Sequence, residues 1–260
     1  MLLGVNIDHI AVLREARKIN DPNPLDALGI CKIAGADQIT IHLREDRRHI
    51  HDHDTKNVIK LSSLPVNLEC AIGDEMIDIA CKLKPHRVTL VPENREEVTT
   101  EGGLDLKSNY KKIQKAIKRL QESEIEVSLF IDPNEEMIKL SRDLKVEWIE
   151  LHTGTFANIY AMLYGGLSNS HHSIKELELP RKELNSLLKQ SKKEIKKSAK
   201  LAAELGLRVA AGHGLNYQNV DAMVAIKEIE ELNIGQSIIA RSVFTGLEKA
   251  IIDMKELVNK

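Results

Sequence analysis

Eight short apolar stretches alternate with segments of helical periodicity, and this order constrains the fold more than any other feature. The predicted strands are 2–7, 38–42, 65–71, 86–91, 126–131, 146–151, 207–211 and 231–234. The predicted helices are 24–34, 54–63, 74–83, 109–122, 135–144, 181–205 and 219–229, with one or two closing helices in 237–260. Strands that alternate with helices form parallel β–α units, and eight such units close a barrel. The sequence therefore predicts an α/β fold, a (β/α)8 TIM barrel.

One segment after the sixth predicted strand interrupts this order. Residues 156–180 contain paired glycines and a Ser-Asn-Ser run, and they lack a clear period. We interpret about 156–191 as an insertion within the barrel. Strands on both sides of it are needed for closure, and 260 residues suit one barrel, so we expect a single domain over 1–260.

Charge and composition exclude several classes of partner. Lys and Arg total 37 against 39 Asp and Glu, and aromatic residues make up 3%, which argues against a nucleic-acid partner. No apolar run reaches membrane-spanning length, and the first residues are too quickly acidic for a signal peptide. The three cysteines form no C-x-x-C pair and suit a reducing compartment. We therefore expect a cytoplasmic protein with no membrane partner.

The second predicted strand ends in a loop that is dense in basic residues. It stops at His42 and continues through Arg44 to His49. The guanidinium fork of Arg matches phosphate oxygens, and His titrates near neutral pH. The loop therefore suits a phosphorylated substrate beside a proton-transfer group, although a solvated charged loop is the alternative.

Polar side chains follow nearly every predicted strand. They are Asn6, Asp8 and His9; His42 and Arg44; Glu69; Thr99; Asp132; Glu150 and His152; His213; and Gly235 and Gln236. In a (β/α)8 barrel the loops after the strands meet at one face, where the active site is built. The convergence of these residues is therefore stronger evidence for a site than any one of them.

Three of these positions have a specific chemical interpretation. Glu69 lies on an apolar strand, where burial raises a carboxyl pKa and suits a general acid or base, although an interior salt bridge to Arg44 is the alternative. His213 lies between two glycines that let a substrate approach the backbone, although a plain turn has the same pattern. Gly235 begins a helix whose N–H groups favour a phosphate.

The histidine-rich stretch after this loop raises the alternative of a metal site. His49, His51 and His53 alternate along the chain and would share one face if they formed a strand. The stretch is charged throughout and leads into the helix predicted at 54, so we favour a site without metal.

Longer motifs resemble one enzyme family from the first strand to the last helix. They are GVNIDHI at 4–10, HLREDRRHI at 42–50, NLE at 67–69, EVTTEGG at 97–103, SLFID at 128–132, ELHTG at 150–154, AGHGL at 211–215 and LNIG at 232–235. Together they resemble the pyridoxine 5′-phosphate synthase family. The resemblance implies a phosphate-binding TIM barrel that uses no metal or organic cofactor and assembles as a homo-octamer.

The implied reaction belongs to vitamin B6 biosynthesis. It condenses 1-deoxy-D-xylulose 5-phosphate with 3-amino-2-oxopropyl phosphate and yields pyridoxine 5′-phosphate, inorganic phosphate and water. The alternatives are a metal-dependent barrel hydrolase that uses the histidine-rich stretch and a non-catalytic phosphosugar-binding barrel. The number of acid and base groups argues against the second, because binding alone needs none of them.

The resemblance also implies roles for individual residues. The implied proton acceptors are His42 and Glu69, the proton donor is His213, and Glu150 stabilises the transition state. The implied contacts to the deoxyxylulose phosphate are Asp8, His9, Arg44, His49 and Thr99. The implied contacts to the aminoketone phosphate are Asn6, Arg17, Gly214, Gly235 and Gln236.

Two features depart from the family pattern. Gln236 stands where the family commonly has His, although its backbone N–H is unaffected and its side chain can still donate a hydrogen bond. The segment 156–191 is longer than in compact members and follows the sixth strand on the active-site side, where it could cover the site or form an interface.

Overall fold

A computed structural model of the chain, which describes residues 1–92 and 102–260, contains a closed barrel of eight parallel strands. The strands are β1 Leu2–Asn6, β2 Gln38–His42, β3 Val66–Cys70, β4 Arg87–Leu90, β5 Glu126–Ile131, β6 Trp148–His152, β7 Arg208–Gly212 and β8 Glu231–Ile234. Each strand pairs with the next along the chain, and β1 pairs with β8. The predicted (β/α)8 barrel is confirmed.

Helices connect the strands. They are α1 Asp8–Arg17, α2 Ala27–Ile33, α3 Asp52–Leu61, α4 Asp74–Leu83, α5 Tyr110–Glu122, α6 Glu135–Asp143, α7 Gly154–Tyr164, α8 Arg181–Glu204, α9 Asp221–Val224, α10 Gln236–Thr245 and α11 Leu247–Val258. Short 3-10 turns occur at Pro24–Asp26, Leu167–Asn169 and Lys175–Leu177. No helix in the described ranges is both long enough and apolar enough to cross a membrane.

The segment without an α-helix is shorter than the sequence predicted. Residues 156–164 belong to α7, which buries Phe156, Ile159 and Met162. Ile159 and Met162 pack with Leu184 of α8, so α7 and α8 form a helical hairpin. Because α7 is apolar on most of its faces, it lacks the polar and apolar alternation that reveals a surface helix. Only residues 165–180 lack an α-helix, and 181–191 belong to α8.

Two other helices differ from the sequence interpretation. α1 was not predicted, because the polar residues that begin it were interpreted as loop chemistry after the first strand. The helix predicted at 219–229 is only the four residues Asp221–Val224. The neighbouring Val220 and Ile226 are buried, so the apolar pattern reflects packing rather than a continued helix.

The apolar core lies between the strands and the surrounding helices. Val5, Ile39, Leu68 and Ile149 are fully buried there. The residues that alternate with them face the inside of the barrel and are largely polar. The buried polar residues of the strands include Gln38, Thr40, Asn67, Arg87, Thr89, Ser128, Glu150, Glu231 and Asn233.

Hydrogen bonds link these inward side chains. Arg87 Nη1 donates to Glu231 Oε1 at 2.8 Å, and Gln38 Nε2 donates to the same oxygen at 3.0 Å. Thr40 Oγ1 donates to Asn233 Oδ1 at 3.2 Å. Buried polar groups are tolerated when they are paired in this way. The space beneath the carboxyl ends of the strands is therefore a polar and ordered floor.

Candidate active site

The proposed proton-transfer residues lie at the carboxyl ends of the strands. His42 ends β2 and pairs in register with Glu69 of β3, and Glu150 lies on β6. His213 directly follows β7. His42, Glu69 and His213 therefore lie at one rim of the barrel, as the convergence of strand ends predicted, and Glu150 lies below the rim in the middle of β6.

Asp8 joins the end of β1 to the end of β2. Its Oδ1 and Oδ2 accept from the backbone N–H of His42 at 2.9 and 3.1 Å, and Oδ2 also accepts from Asn6 Nδ2 at 2.9 Å. Burial raises the pKa of Asp8, while His42 and these hydrogen bonds oppose the rise. Asp8 therefore fixes the backbone position of His42 in addition to any contact with a substrate.

Glu69 is placed for proton transfer. Its Oε2 lies 4.0 Å from Nδ1 of His42, and its side chain is 16% exposed. Burial raises the pKa of Glu69 well above its ordinary value, and the negative charges of Glu150 and Asp8 raise it further. A carboxylate with a raised pKa is a stronger base, so the ionised form of Glu69 suits a general base.

Glu150 is a second buried carboxyl group. Burial raises its pKa to about 7, with a smaller contribution from Glu231, while a hydrogen bond from Asn233 and the charge of Arg87 oppose the rise. Asn233 Nδ2 donates to Glu150 Oε2 at 2.8 Å. A Cβ on Gly212 would lie 2.3 Å from Glu150 Oε1, so the strand beside this carboxyl needs glycine.

His213 occupies an unusual backbone conformation beside a second histidine. Its φ of 78° is in the left-handed region, which non-glycine residues rarely adopt. The hydroxyl of the buried Thr153 lies 2.7 Å from the carbonyl oxygens of both Gly212 and His213 and supports this turn. The sequence predicted an imidazole presented to a substrate, with a plain turn as the alternative. The structure has a bend at an exposed His213, which fits both interpretations.

The surroundings of His213 disfavour its charged form. Burial of the imidazole among protein atoms and the nearby His152 lower the pKa of His213 to about 4. The residue nevertheless remains exposed at the rim, where solvent opposes the shift. The imidazole is therefore neutral in the free protein at neutral pH.

Two glycines that are expected to contact a phosphate near the last strands are packed closely against neighbouring residues. Gly214 has a φ of +82°, and a Cβ there would lie 2.5 Å from Cβ of Ala157. A Cβ on Gly235 would lie 2.9 Å from Cβ of Asn6. Gln236 is exposed and is the first residue of α10, whose N-terminal N–H groups suit an anion.

The basic loop after β2 is held by a residue that the sequence interpretation missed. Arg14 is buried in α1, and its two Nη atoms donate to the carboxylate of Asp54 at 2.9 and 2.8 Å. Arg14 Nη2 also donates to the carbonyl oxygen of His49 at 2.8 Å. Arg44 lies in the same loop, with its Nε 3.8 Å from Asp46 Oδ1. Arg14 therefore fixes the backbone of the loop at His49.

The remaining expected contacts differ in their placement. His9 is in the first turn of α1, close to the rim. Arg17 is exposed in the last turn of α1, about 14 Å from the start of the helix at the usual rise per residue. Its expected contact remains a prediction. Thr99 lies outside the described residues.

The histidine-rich stretch is only partly as expected. Within the described ranges, His51, His53 and Asp54 form a group that could hold a metal ion, and His49 does not belong to it. Asp54 is already bound by the Arg14 guanidinium, whose positive charge opposes a cation. This geometry does not favour the alternative of a metal-dependent hydrolase.

Comparisons with known proteins identify the family of this chain. The sequence matches the family described as pyridoxal phosphate biosynthesis protein PdxJ over residues 3–260. A pyridoxine 5′-phosphate synthase of Aliarcobacter butzleri (strain RM4018) is 74% identical over 258 residues, which is 99% of each chain. Another, from Sulfurovum sp. (strain NBC37-1), is 70% identical over 99% of this chain and 100% of that one.

A solved structure supports the fold at much lower sequence identity. The phosphoribosyl anthranilate isomerase of Thermococcus kodakaraensis matches with a TM-score of 0.59 at 12% identity, over 99% of this chain and 98% of the other. Identity this low shows a shared barrel and carries no argument about the reaction.

Proposed function

Since this chain belongs to the PdxJ family of pyridoxal phosphate biosynthesis proteins, we propose how its site carries out the synthesis of pyridoxine 5′-phosphate. The substrates are 1-deoxy-D-xylulose 5-phosphate and 3-amino-2-oxopropyl phosphate, and inorganic phosphate and water are released. The observation that carries the proposal is the pair of carboxyl groups with raised pKa values, the partly buried Glu69 beside His42 at the rim and the buried Glu150 below it.

The reaction needs several proton transfers rather than one nucleophile. The amine attacks the ketone of the sugar phosphate and expels its oxygen as water, and the resulting imine loses a proton. A phosphate then leaves, a carbon–carbon bond forms, and water is expelled. His42 and Glu69 accept protons in these steps. The raised pKa of Glu69 makes its carboxylate a strong acceptor for a proton from the substrate.

His213 donates a proton in the half of the reaction that closes the ring. The free imidazole is neutral, so it must gain its proton when the anionic substrates bind and favour the imidazolium form. Glu150 stabilises the transition state from the floor of the site, where Asn233 fixes one of its oxygens.

Two phosphates require two anion sites. Asp8, His9, Arg44, His49 and Thr99 contact the deoxyxylulose phosphate in this proposal. The aminoketone phosphate is contacted by Asn6, Arg17, Gly214, Gly235 and Gln236.

We further propose a cytoplasmic location and a homo-octamer. The side chains of Val243 and Phe244 are 66% and 89% exposed, and they support an oligomer because large apolar side chains favour burial.

The test is an assay with both phosphorylated substrates in the presence of a metal chelator, with pyridoxine 5′-phosphate measured over time. We expect product with both substrates and none with either alone. Loss of activity on chelation, restored by one metal ion, would support the metal-dependent alternative. Binding of the sugar phosphate without product would support the non-catalytic alternative.

The variant His213→Asn tests the donor role separately. Asn retains a hydrogen-bond donor and removes the titrating proton. We expect both substrates to bind with little loss and an early covalent adduct to accumulate, which rapid quench and mass spectrometry would detect. Product formation at the parent rate, or loss of substrate binding, would contradict the donor assignment.

A further inference from the structure

A histidine and a carboxylate form a pair at the rim beside His213. His152 ends β6, and its Nδ1 lies 3.2 Å from Oδ1 of Asp132, which directly follows β5. The His152 side chain is 5% exposed, whereas that of Asp132 is 46% exposed. The hydrogen bond from His152 lowers the pKa of Asp132, so this carboxyl group is ionised at neutral pH. An ionised carboxylate can only accept, so Nδ1 of His152 carries the hydrogen.

The ring of His152 also contacts the ring of His213. Their centroids are 5.0 Å apart, with an edge-on angle of 68° between the planes. Phe130 borders both rings, at 5.1 Å from His152 and 6.3 Å from His213. A Cβ on Gly154 would lie 2.4 Å from His152 Nε2 and 3.1 Å from His213 Cδ2, so glycine at this position leaves the two rings adjacent.

Asp132 is itself fixed by the backbone. The N–H of Gly103 donates to Asp132 Oδ1 at 2.9 Å, which is the same oxygen that accepts from His152. A Cβ on Gly102 would lie 2.8 Å from Asp132 Oδ2. The carboxylate is therefore held by the backbone at 102–103, and its direction is set before any substrate binds.

We propose that Asp132 and His152 are positioning residues for His213. Asp132 fixes the tautomer and orientation of His152, and the His152 ring holds the His213 imidazole in the direction from which it donates its proton. This inference rests on the proposed role of His213. It assigns a function to two rim residues that have no role in the proposed chemistry so far.

The competing explanation is that the pair only stabilises the fold. The chain offers a matched control at the opposite end of the barrel, where Nδ1 of His86 lies 4.0 Å from Oε2 of Glu126. His86 immediately precedes β4, far from the rim, and its side chain is 51% exposed. His86→Asn therefore removes a histidine beside a carboxylate without touching the site.

The experiment compares Asp132→Asn, His152→Asn and His86→Asn by steady-state kinetics. We expect the first two to lower kcat by about 10-fold to 100-fold, as when an active-site histidine loses the group that orients it. KM for both substrates should change less than about twofold, because neither residue contacts a phosphate in the proposal. The control should match the parent in both constants, and thermal unfolding will verify that each variant is folded.

A double-mutant cycle separates positioning of His213 from other effects. In the His213→Asn background, Asp132→Asn should cause less than about a twofold further loss, because the residue through which it acts is already gone. The early covalent adduct should form at the same rate in His213→Asn and in the double variant that also carries Asp132→Asn. If His152→Asn fails to fold, Asp132→Asn and its cycle still test the proposal, because Asp132 is half-exposed.

Several results would overturn the inference. One is a parent-like kcat for Asp132→Asn, and another is a loss that is confined to KM. A third is an equal additional loss in the His213→Asn background, which would show that the pair acts elsewhere. If His213→Asn itself is fully active, the proposed donor role fails instead, so the two failures can be distinguished.

Discussion

Glu150→Gln is expected to stabilise the fold while it damages catalysis. Glu150 is 3% exposed, and its surroundings raise its pKa from 4.5 to about 7. A carboxyl group with a raised pKa binds its proton more tightly in the folded state than in the unfolded state. Its ionisation therefore destabilises the folded state as the pH rises through this interval.

The magnitude follows from the size of the shift. A rise from 4.5 to about 7 corresponds to about 3–4 kcal/mol, at ~1.4 kcal/mol for each pKa unit. This cost is absent below about pH 4.5, grows between the two pKa values, and is complete above about pH 7. Gln retains an oxygen that can accept from Asn233 Nδ2 and never ionises, so the variant avoids the cost.

The assay is urea unfolding of the parent and Glu150→Gln between pH 4.5 and 8.5. The two proteins should have similar free energies of unfolding at the acid end, and the variant should be more stable by up to about 3–4 kcal/mol at the alkaline end. Turnover should fall about a hundredfold, because an electrostatic group at the transition state is lost. A constant difference across the pH range, or a less stable variant at pH 8.5, would refute the reasoning.

Three other variants test separate parts of the site. Glu69→Gln keeps the side-chain shape but cannot accept a proton, so kcat should fall by about 10²–10⁴; near-parent turnover in a folded variant would contradict the base assignment. Arg44→Lys loses the planar fork and should weaken sugar-phosphate binding far more than aminoketone binding in separate titrations; equal losses would contradict its assignment to one phosphate. Asp54→Asn leaves the buried Arg14 without its carboxylate and should cost about 3–5 kcal/mol in urea unfolding, whereas the exposed Asp46→Asn should cost below about 1 kcal/mol.

The strands of the barrel could be predicted because each is identified by a pattern of residues that are adjacent in sequence. The predicted bounds 126–131 and 231–234 coincide with β5 and β8, and 74–83 coincides with α4. Apolar runs between polar loops identify such elements from neighbouring residues alone. The residues at the strand ends could be predicted for the same reason, since parallel strands place all their carboxyl ends at one rim.

The supporting contacts could not be predicted, because they join residues that are distant in sequence. Arg14 and Asp54 are 40 positions apart, and Asp132 and His152 are 20 apart. No local period relates such positions; only the register of the closed barrel brings them together. His152 and Asp132 were recognised as rim residues from their positions, but their contact with each other and with His213 depends on ring orientations.

The protonation states of the site also depend on the assembled barrel. Burial raises the pKa values of the carboxyl groups of Glu69 and Glu150 and lowers that of His213. Each group is therefore driven towards its neutral form in the free protein, the reverse of an exposed carboxylate at neutral pH. Two phosphorylated substrates bring negative charge, which favours the protonated form of histidine and of the carboxyl groups alike. The protonation states of these acids and bases therefore depend on whether the substrates are bound. A reaction with several successive proton transfers needs groups of this kind.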